Sequence, residues 1–384
     1  MLHLRTWAEI DLGALDHNLA TLRREAGEGV EVMLVLKADA YGHGAVPVAW
    51  HLSRSGVAYL GVGDSTEALE LRAAGITTPI LVLGAVVEGE MEDVVRGDIA
   101  VTVHSGDRVR ALRKVVRRNH GAKRAVLHLK VDTGMGRLGC KPERTLGIAR
   151  EVRRSGDLVL EGLATHLATT TPDGGEEASR QLRRFARVQR ALAEEGFSPR
   201  WRHAYASGAI LSDLAGPFNL VRPGLALYGI DPHGRPGETL TPALSWRTQI
   251  VFLKDHRRGS HIGYLGTWCA PRRCRIATLP VGYNDGYRFA FSNRAHVLVR
   301  GRRCPVVGRV SMDYVCIDVT DVPGAQVGDV TTLLGRDRDE IIRVEDLAGL
   351  ADTIPYEIFC GIGRRVTRRY VKNDGATVAS SGAS

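Results

Sequence analysis

The first two thirds of the chain alternate between short apolar, β-branched runs and amphipathic stretches with helical periodicity. This alternation predicts parallel strands joined by helices. The eight predicted strands are Val30–Leu36, Ala58–Val62, Pro79–Leu83, Ile99–Val103, Ala125–Val131, Leu158–Thr165, Trp201–Tyr205 and Asn219–Arg222. Helices are predicted at Ser65–Ala74, Arg108–Val116, Pro142–Arg154 and Glu177–Glu195. Because eight such strands can close into a ring, we predict a (β/α)8 barrel, with a doubly wound open sheet as the alternative.

After about residue 240 the apolar runs become shorter and turn residues separate them, which predicts a mainly β C-terminal domain. Its predicted strands are Ala243–Lys254, Arg275–Leu279, His296–Val299, Pro305–Val310, Tyr314–Val319 and Val330–Leu334, followed by a short helix at Arg343–Leu350. The small and polar C-terminal residues predict a disordered tail. We therefore assign residues 1–240 to the barrel, 241–372 to the β-rich domain and 373–384 to the tail.

Composition limits the class of protein. With 44% hydrophobic and 25% charged residues the chain is typical of a soluble globular protein, and no apolar stretch reaches the roughly 20 residues that span a bilayer. The N-terminal segment lacks the pattern of a secretory signal, so we expect a cytoplasmic protein. The six cysteines form no C-x-x-C pair, so free thiols are expected. No histidine spacing is typical of a zinc site, so no metal is expected.

The net charge of +9 raises the question of nucleic acid. The positive charge is mostly arginine, spread along the chain in doublets such as Arg23-Arg24, Arg117-Arg118 and Arg183-Arg184. No zinc-finger or RNA-binding signature accompanies them, so we expect no nucleic-acid partner. An anionic small molecule remains compatible with this charge.

Polar and mostly basic residues follow several of the predicted barrel strands. The βα loops at these strand ends surround one mouth of a barrel. The residues are Lys37 after the first strand, Arg137 after the fifth, Thr165-His166 after the sixth, Ser207-Gly208 after the seventh and Arg222 after the eighth. We therefore predict a cationic site for an anionic cofactor, formed at one mouth by one lysine, two arginines, a histidine and a serine.

Lys37 is the most informative of these residues. It is one of only seven lysines and directly follows the apolar run VEVMLVL. A desolvated ammonium has a lowered pKa and becomes a nucleophile towards carbonyls, as Schiff-base chemistry requires. Tyr41 lies four residues on and can reach the same mouth. By position alone, a lysine stem packed at a strand end and a packing tyrosine stay open as alternatives.

Several segments resemble the alanine racemase family, a group of pyridoxal-phosphate enzymes with a barrel and a β domain. In chain order they are VLKADAYGHG, HLKVDTGMGRLG, VRPGLALYG, LPVGYNDGY, VGRVSMDY and PYEIFCGIGRRV. The resemblance extends from Trp7 to about Tyr370. It implies an isomerase that interconverts L- and D-alanine with pyridoxal 5'-phosphate, supplies D-alanine for peptidoglycan and works as a homodimer.

The resemblance implies that Lys37 holds the cofactor covalently and acts as one acid/base. Tyr264, in HIGYLGTW, matches the second acid/base, which reaches the site from the partner subunit. Inversion of a stereocentre requires one proton to leave from one face and another to arrive on the other, so two groups are needed. Arg222 matches the arginine that donates to the pyridine nitrogen. Because a guanidinium keeps its proton, the ring nitrogen should stay unprotonated, which favours reprotonation over decarboxylation.

Further residues are implied to bind cofactor or substrate. Arg137 matches a residue near the phenolic oxygen of the cofactor and the substrate carboxylate, and Lys130 matches a position that is often carbamylated and orients that arginine. His166 matches a histidine beside Arg222. The implied phosphate donors are Tyr41, Ser207, Tyr356 and the backbone amides of Gly224 and Leu225. The implied substrate entrance contains Tyr283 and Met312, with Asp285 and Asp313 either shaping it or serving as turn residues.

A few positions depart from the family pattern. Tyr205 and Ala206 stand where the family has alanine and asparagine, Leu265 replaces a glycine, and Asn284 replaces an alanine. Because Tyr205 and Leu265 could change the pocket volume, a broad-specificity or serine racemase remains an alternative.

One feature of the sequence argues against each of two further alternatives. A barrel-type amino-acid decarboxylase usually places a carboxylate at the ring nitrogen, where this chain has Arg222. A non-catalytic pyridoxal-phosphate carrier resembles the barrel alone, whereas this chain has a second domain that contains Tyr264.

Overall fold

A computed structural model describes residues 4–119, 124–170, 174–212, 214, 216, 218–234 and 239–372. Within them the chain forms two compact units, here called the barrel unit (15–40 and 45–241) and the β unit (4–14, 41–44 and 242–372). The tail predicted at 373–384 lies outside the described residues. Strand β1 (Thr6–Asp11) comes first in the chain and belongs to the β unit.

The described part of the barrel unit contains eight parallel strands in one sheet. They are β2 (Glu31–Val35), β3 (Tyr59–Val62), β4 (Ile80–Val82), β5 (Ala100–Val103), β6 (Ala125–Lys130), β7 (Leu158–Ala164), β8 (Trp201–His203) and β9 (Leu220–Val221). Strand β2 pairs with both β3 and β9. Between β8 and β9, Asn219 N donates to Arg202 O at 3.2 Å and Arg222 N donates to Tyr205 O at 2.8 Å, which closes the ring. The predicted (β/α)8 barrel is confirmed.

Helices alternate with these strands. They are α1 (Leu12–Ala26), α2 (Lys37–Gly42), α3 (Ala45–Leu52), α4 (Ser65–Ala73), α5 (Met91–Arg96), α6 (Gly106–Arg118), α7 (Thr145–Ser155), α8 (Gly175–Glu194) and α9 (Ser207–Ile210). The carboxylate of Asp64 accepts from Glu67 N at 3.0 Å and caps α4, as the sequence indicates. The helix predicted from Pro142 begins as a 3-10 turn at Pro142–Arg144.

The barrel strands read as nearly continuous apolar runs because they are buried on both faces. Six of them contribute one residue each to a buried cluster: Met33, Tyr59, Leu81, Ala100, Trp201 and Leu220. All six residues are at most 6% exposed. Burial of this kind is the main favourable term that holds the ring closed.

The described part of the β unit contains three sheets. Their strands, besides β1, are β10 (Leu244–Gln249), β11 (Phe252–His256), β12 (His261–Ile262), β13 (Trp268–Cys269), β14 (Cys274–Leu279), β15 (His296–Val299), β16 (Arg302–Pro305), β17 (Val315–Asp318), β18 (Val330–Asp337), β19 (Glu340–Ile342) and β20 (Thr367–Val371). Helices α10 (Val344–Leu350) and α11 (Pro355–Cys360) complete it. The largest sheet has the order β16-β15-β18-β10-β1-β20, with β19 paired to β18. The predicted mainly β C-terminal domain is confirmed.

The structure differs from the sequence-based predictions at three places. The run Ala243–Lys254 divides at Ile250, because β10 and β11 belong to different sheets. The strand predicted at Pro305–Val310 is wrong, since β16 ends at Pro305 and only an isolated bridge from Val306 to Ile317 follows. Strand β1 lies in the β unit although residues 1–240 were assigned to the barrel, because it pairs antiparallel with β10 and parallel with β20.

Two features bear on the expected class of protein. None of the described helices combines the length and apolar character that a bilayer span needs. All six cysteines are free.

Asn18 in α1 connects that helix to the segment after β9. Its Nδ2 donates to Leu227 O at 3.0 Å and to Thr241 O at 2.8 Å, and its Oδ1 accepts from Thr241 N at 2.8 Å. The side chain is fully buried. These bonds therefore fix the chain just beyond Gly224 and Leu225, two residues that the sequence assigns to cofactor binding.

We predict that Asn18→Ala lowers the free energy of unfolding by about 2–4 kcal/mol, because it removes three hydrogen bonds and leaves buried partners unpaired. Denaturant unfolding measures the difference. Arg24→Ala on the same helix is the control, since the Arg24 side chain is 67% exposed, and should change stability by less than about 0.5 kcal/mol. Equal stability of the two variants would contradict the prediction.

Candidate active site

The ends of the barrel strands carry a cluster of cations. Lys37 follows β2, Lys130 ends β6 and Arg222 follows β9, while Arg137 lies in the exposed loop after β6. The pKa of His166, which follows β7, is lowered to about 3, first by burial and then by the charges of Arg222, Lys130, Arg137 and Lys37. The structure thus brings these five predicted residues together, with the imidazole neutral.

Lys130 has a perturbed amine. Burial lowers its pKa to about 8, and the charges of Arg222, Arg137 and Lys37 act in the same direction, opposed by Asp132. A lysine with such a pKa is partly neutral near physiological pH, and a neutral amine is the form that reacts with electrophiles. The cluster as a whole carries an excess of positive charge, which suits an anionic ligand.

Arg222 is deeply buried, with 6% of its surface exposed, and burial lowers its pKa to about 10. Its Nη2 donates to Thr165 O at 2.9 Å and Ala204 O at 3.0 Å, and lies 3.3 Å from His166 Nδ1. Its Nη1 donates to His203 Nδ1 at 2.7 Å. Among the described residues none accepts a hydrogen bond from Nε, so this donor is left for a ligand. Sequence reasoning missed His203.

Ser207 forms a small cradle with the segment after β9. Its Oγ accepts from Gly224 N at 2.9 Å and from Ala226 N at 3.1 Å. Because both lone pairs of the hydroxyl are used, its own proton is left to donate. The amide of Leu225 has no acceptor among the residues that the structure describes. The amide of Gly224, assigned to a ligand from the sequence, donates to Ser207 instead.

The short helix α2, which begins at Lys37, is a left-handed turn. The φ angles lie between 53° and 55° in Ala38, Asp39, Ala40 and Tyr41, and this conformation costs a non-glycine residue on the order of 1 kcal/mol. Glu67 stabilises the turn, because its Oε1 accepts from Ala38 N at 2.6 Å, and its Oε2 accepts from Gly63 N, directly after β3, at 2.7 Å. The turn fixes where Lys37 leaves the strand.

The desolvation of Lys37 that the sequence suggested is wrong for this side chain, which is exposed. The apolar run before it ends with the strand. Its chemical setting is instead defined by neighbouring cations, since Lys37 is one of the charges that act on Lys130 and His166.

The β unit holds the remaining predicted residues. The rings of Tyr41 and Tyr356 lie 5.7 Å apart, and burial raises the pKa of Tyr356, so that phenol stays a donor. Tyr264 is 70% exposed in the 3-10 turn Tyr264–Gly266. The next residue, Leu265, has a φ of 59°. This left-handed conformation accounts for the glycine of the family pattern at that position.

Tyr283 and Met312 are 46% and 53% exposed on two loops of the β unit that are hydrogen-bonded to each other. Arg365 joins these loops, because its Nε and Nη2 donate to Asp285 at 3.0 and 3.1 Å and its Nη1 donates to Asp313 at 2.7 Å. The two aspartates are therefore members of an ion-pair network. Sequence reasoning missed Arg365, although it lies in the quoted segment GIGRRV.

Tyr205 is a packing residue. Its ring lies 4.5 Å from that of Phe218, and its hydroxyl donates to Leu214 O at 2.8 Å. Burial raises its pKa to about 12. These contacts commit the side chain to the core of the barrel unit, which explains why a large aromatic residue is tolerated beside Ser207.

Comparison with known proteins identifies the family. The profile described as alanine racemase, N-terminal domain, matches residues 10–232, and the profile of the C-terminal domain matches residues 243–370. The chain belongs to the alanine racemase family. An alanine racemase of Symbiobacterium thermophilum is 44% identical over 369 residues, which cover 95% of this chain and 97% of that protein.

Solved structures of alanine racemases have the same fold. That of Clostridium difficile has a TM-score of 0.93 and 33% identity, and the match covers 99% of this chain and 98% of that one. A structure of alanine racemase from Bartonella henselae with covalently bound pyridoxal phosphate has a TM-score of 0.84 and 28% identity, with 96% and 99% covered. The predicted family, fold class, racemase activity and dependence on pyridoxal phosphate are confirmed.

We predict that Glu67→Ala lowers the free energy of unfolding by about 1–3 kcal/mol, because the Ala38 amide of the strained turn and the Gly63 amide after β3 both lose their acceptor. Glu67→Gln, which keeps one acceptor oxygen, should lose less. The exposed Glu70 on the same helix supplies the control Glu70→Ala. Thermal and denaturant unfolding give the ranking, and a Glu67→Ala variant as stable as Glu70→Ala would show that Glu67 does not stabilise the turn.

Proposed function

We propose that this racemase interconverts L- and D-alanine, with Lys37 and Tyr264 moving the α-proton on opposite faces of the substrate. The observation that carries the proposal is the cluster of cations around His166. Such a cluster suits both the phosphate of the cofactor and the carboxylate of an amino acid. When bound, pyridoxal phosphate withdraws electrons from the α-carbon of an attached amino acid and makes its hydrogen acidic.

Residues of the barrel unit fit this cofactor. The amine of Lys37 attaches it covalently. The free Nε donor of Arg222 suits the pyridine nitrogen, and because a guanidinium does not release its proton, that nitrogen stays unprotonated. The Ser207 hydroxyl and the Leu225 amide are donors for the phosphate. Tyr41 and Tyr356, which belong to the β unit, are proposed from the family resemblance as phenol donors to the same phosphate, and Gly224 of the barrel unit allows close backbone approach.

Racemisation needs two acid/bases, because a single base returns the proton to the face from which it came. Lys37 serves one face and Tyr264 the other. The 70% exposure of Tyr264 supports a residue that acts outside its own subunit. We therefore propose a homodimer with shared sites, in which the tyrosine of each subunit serves the cofactor of the other.

The substrate carboxylate is assigned to Arg137, with Met312 through its backbone and Tyr283 at the entrance. Lys130 is proposed to carry a carbamate, because its lowered pKa of about 8 leaves part of the amine neutral and able to add carbon dioxide. A carbamate places a negative charge beside Arg137 and orients it. Carbon-13 NMR with labelled bicarbonate detects this group.

In the cell we propose a cytoplasmic enzyme that supplies D-alanine for peptidoglycan. Steady-state rates on L-alanine, L-serine, L-arginine and L-lysine test the substrate assignment. The packing of Tyr205 against Phe218 supports alanine over a larger range of substrates, because it removes one reason to expect an altered pocket. A serine rate far above the alanine rate would reassign the enzyme.

We predict that Lys37→Ala abolishes covalent cofactor and lowers racemisation by at least about 1000-fold, because one residue supplies both the attachment and an acid/base. Borohydride reduction followed by peptide mass spectrometry locates the attachment. Lys141→Ala, at an exposed lysine, is the control and should keep the adduct. Retention of the adduct on another lysine in Lys37→Ala would assign the attachment elsewhere.

We predict that Tyr264→Phe keeps the covalent cofactor but lowers kcat by about 100- to 10,000-fold, the contribution of a positioned acid/base. With one base left, one enantiomer should exchange its α-hydrogen with deuterated solvent faster than it racemises. Proton NMR from each pure enantiomer measures exchange and inversion separately. Tyr314→Phe, at a tyrosine 47% exposed in the same unit, is the control. Undiminished rates in Tyr264→Phe would refute its role.

A further inference from the structure

A line of buried polar side chains runs through the barrel unit from Arg222. Arg222 Nη1 lies 2.7 Å from His203 Nδ1, and His203 Nε2 lies 2.8 Å from His128 Nδ1. His128 Nε2 in turn lies 3.5 Å from Oε2 of Glu161, which also accepts from the Tyr59 hydroxyl. His128 and His203 are 0% and 1% exposed. The line therefore joins a guanidinium to a carboxylate through two imidazoles.

The chemistry of arginine fixes the direction of every donor in this line. A guanidinium only donates, so His203 must accept at Nδ1 and, when neutral, carry its proton on Nε2. His128 then accepts at Nδ1 and carries its proton on Nε2, which faces Glu161. With both imidazoles neutral, one pair of tautomers satisfies the contacts from Arg222 to His203 and from His203 to His128. It leaves the Nε2 proton of His128 facing the Glu161 carboxylate at 3.5 Å, a separation at which no hydrogen bond is formed.

The surroundings keep both imidazoles neutral. Burial lowers the pKa of His128, with Glu161 opposing it and Arg222 adding to it. Burial also lowers the pKa of His203, together with the charges of Arg222, His128 and Lys130. For Glu161, burial acts to raise the pKa, but the neighbouring His128, the hydrogen bond from Tyr59 and the charge of Arg200 outweigh it, so the pKa is lowered. The negative charge thus stays at the far end of the line.

The backbone is shaped around this arrangement. The pairing of β6 with β7 shifts from Leu127 opposite Leu160 to His128 opposite Gly162, so Glu161 is the extra residue of a β-bulge. Bulges redirect a side chain and recur near active sites. A Cβ added at Gly162 would lie 2.3 Å from Nδ1 of His128. A glycine at this position is therefore needed for the imidazole to occupy its place.

The positive charge of Arg222 is compensated from a distance and not by a carboxylate in contact with it. No carboxylate among the described residues forms an ion pair with it, although a buried charge without compensation is costly. The line gives Nη1 a fixed acceptor and places the compensating charge away from the ligand. A carboxylate in direct contact would compete with the ring nitrogen for the guanidinium.

We propose that Glu161, acting through His128 and His203, is a positioning residue that fixes the orientation of Arg222 and leaves its Nε directed to the cofactor. This inference rests on the proposed role of Arg222 at the ring nitrogen. Glu161 does not touch the cofactor or the reacting atoms.

The first test uses the unaltered holoenzyme with nitrogen-15-labelled histidine. The line requires His128 and His203 to be neutral and protonated at Nε2, and nitrogen-15 NMR distinguishes this tautomer from the other two forms. A proton on Nδ1 of His203, or a doubly protonated ring, would overturn the inference. This readout does not depend on racemisation, so it separates failure of the inference from failure of the proposed function.

The second test compares Glu161→Gln with Asp98→Asn. Both carboxylates line one cavity of about 240 Å³, and Glu161, but not Asp98, is among the groups that shift the pKa of His128. Glu161→Gln keeps an acceptor oxygen and removes the charge. It should keep the covalent cofactor, shift the nitrogen-15 signal of the labelled cofactor ring and lower kcat by about 10-fold, as loss of an outer partner of a site does.

Glu161→Asp restores the charge and should recover part of the ring-nitrogen signal, whereas Asp98→Asn should match the unaltered enzyme. Identical ring-nitrogen signals and rates in Glu161→Gln and Asp98→Asn would overturn the inference. If Glu161→Gln does not fold, the tautomers of His128 and His203 measured in the unaltered enzyme test the inference instead. A holoenzyme with the required tautomers but no racemisation would count against the proposed function alone.

Discussion

The burial of one guanidinium constrains much of the barrel unit. Arg222 is held by two backbone carbonyls, those of Thr165 and Ala204, and by imidazoles that are kept neutral. The carbonyls belong to segments after β7 and β8, while the arginine follows β9. These groups meet only because the ring of strands closes between β8 and β9. Closure of the barrel therefore creates the acceptors, and the acceptors make it possible to bury the charge.

The same dependence on distant parts of the chain appears at Lys37. The lysine leaves β2 through a left-handed turn that local sequence does not favour. Glu67, from helix α4, supplies the acceptor for the Ala38 amide of the turn and a second acceptor for the Gly63 amide after β3. A strained turn at a strand end persists when surrounding structure determines it, and such strain is common at functional sites. The position of the Lys37 amine thus follows from tertiary contacts as much as from the strand that precedes it.

Local pattern predicted the barrel strands well because buried parallel strands are nearly uniform apolar runs. It located Lys37, His166 and Arg222 because function in a barrel gathers at strand ends. It did not place β1, whose partners β10 and β20 lie far along the chain. The bulge at Glu161 was equally invisible, since an extra residue in one strand leaves no periodic signal. The two-residue period of a strand places His128 on the same face of β6 as Lys130, two residues later. This pattern could have indicated that His128 lies near the site.

The positive charge of the site explains why it suits an anionic ligand. Lys37, Lys130, Arg137 and Arg222 all act to lower the pKa of His166, so their charges also repel one another. Lys130 responds to this repulsion and to burial with a pKa of about 8. Because its folded pKa is lowered, the destabilising contribution of its charge is full below about pH 8 and is relieved as the pH rises. An anion bound in the site, or the carbamate proposed on Lys130, would relieve the same repulsion at neutral pH. The suitability of the site for an anionic ligand and part of the lowering of the Lys130 pKa, beyond that caused by burial, are thus two consequences of one excess of positive charge.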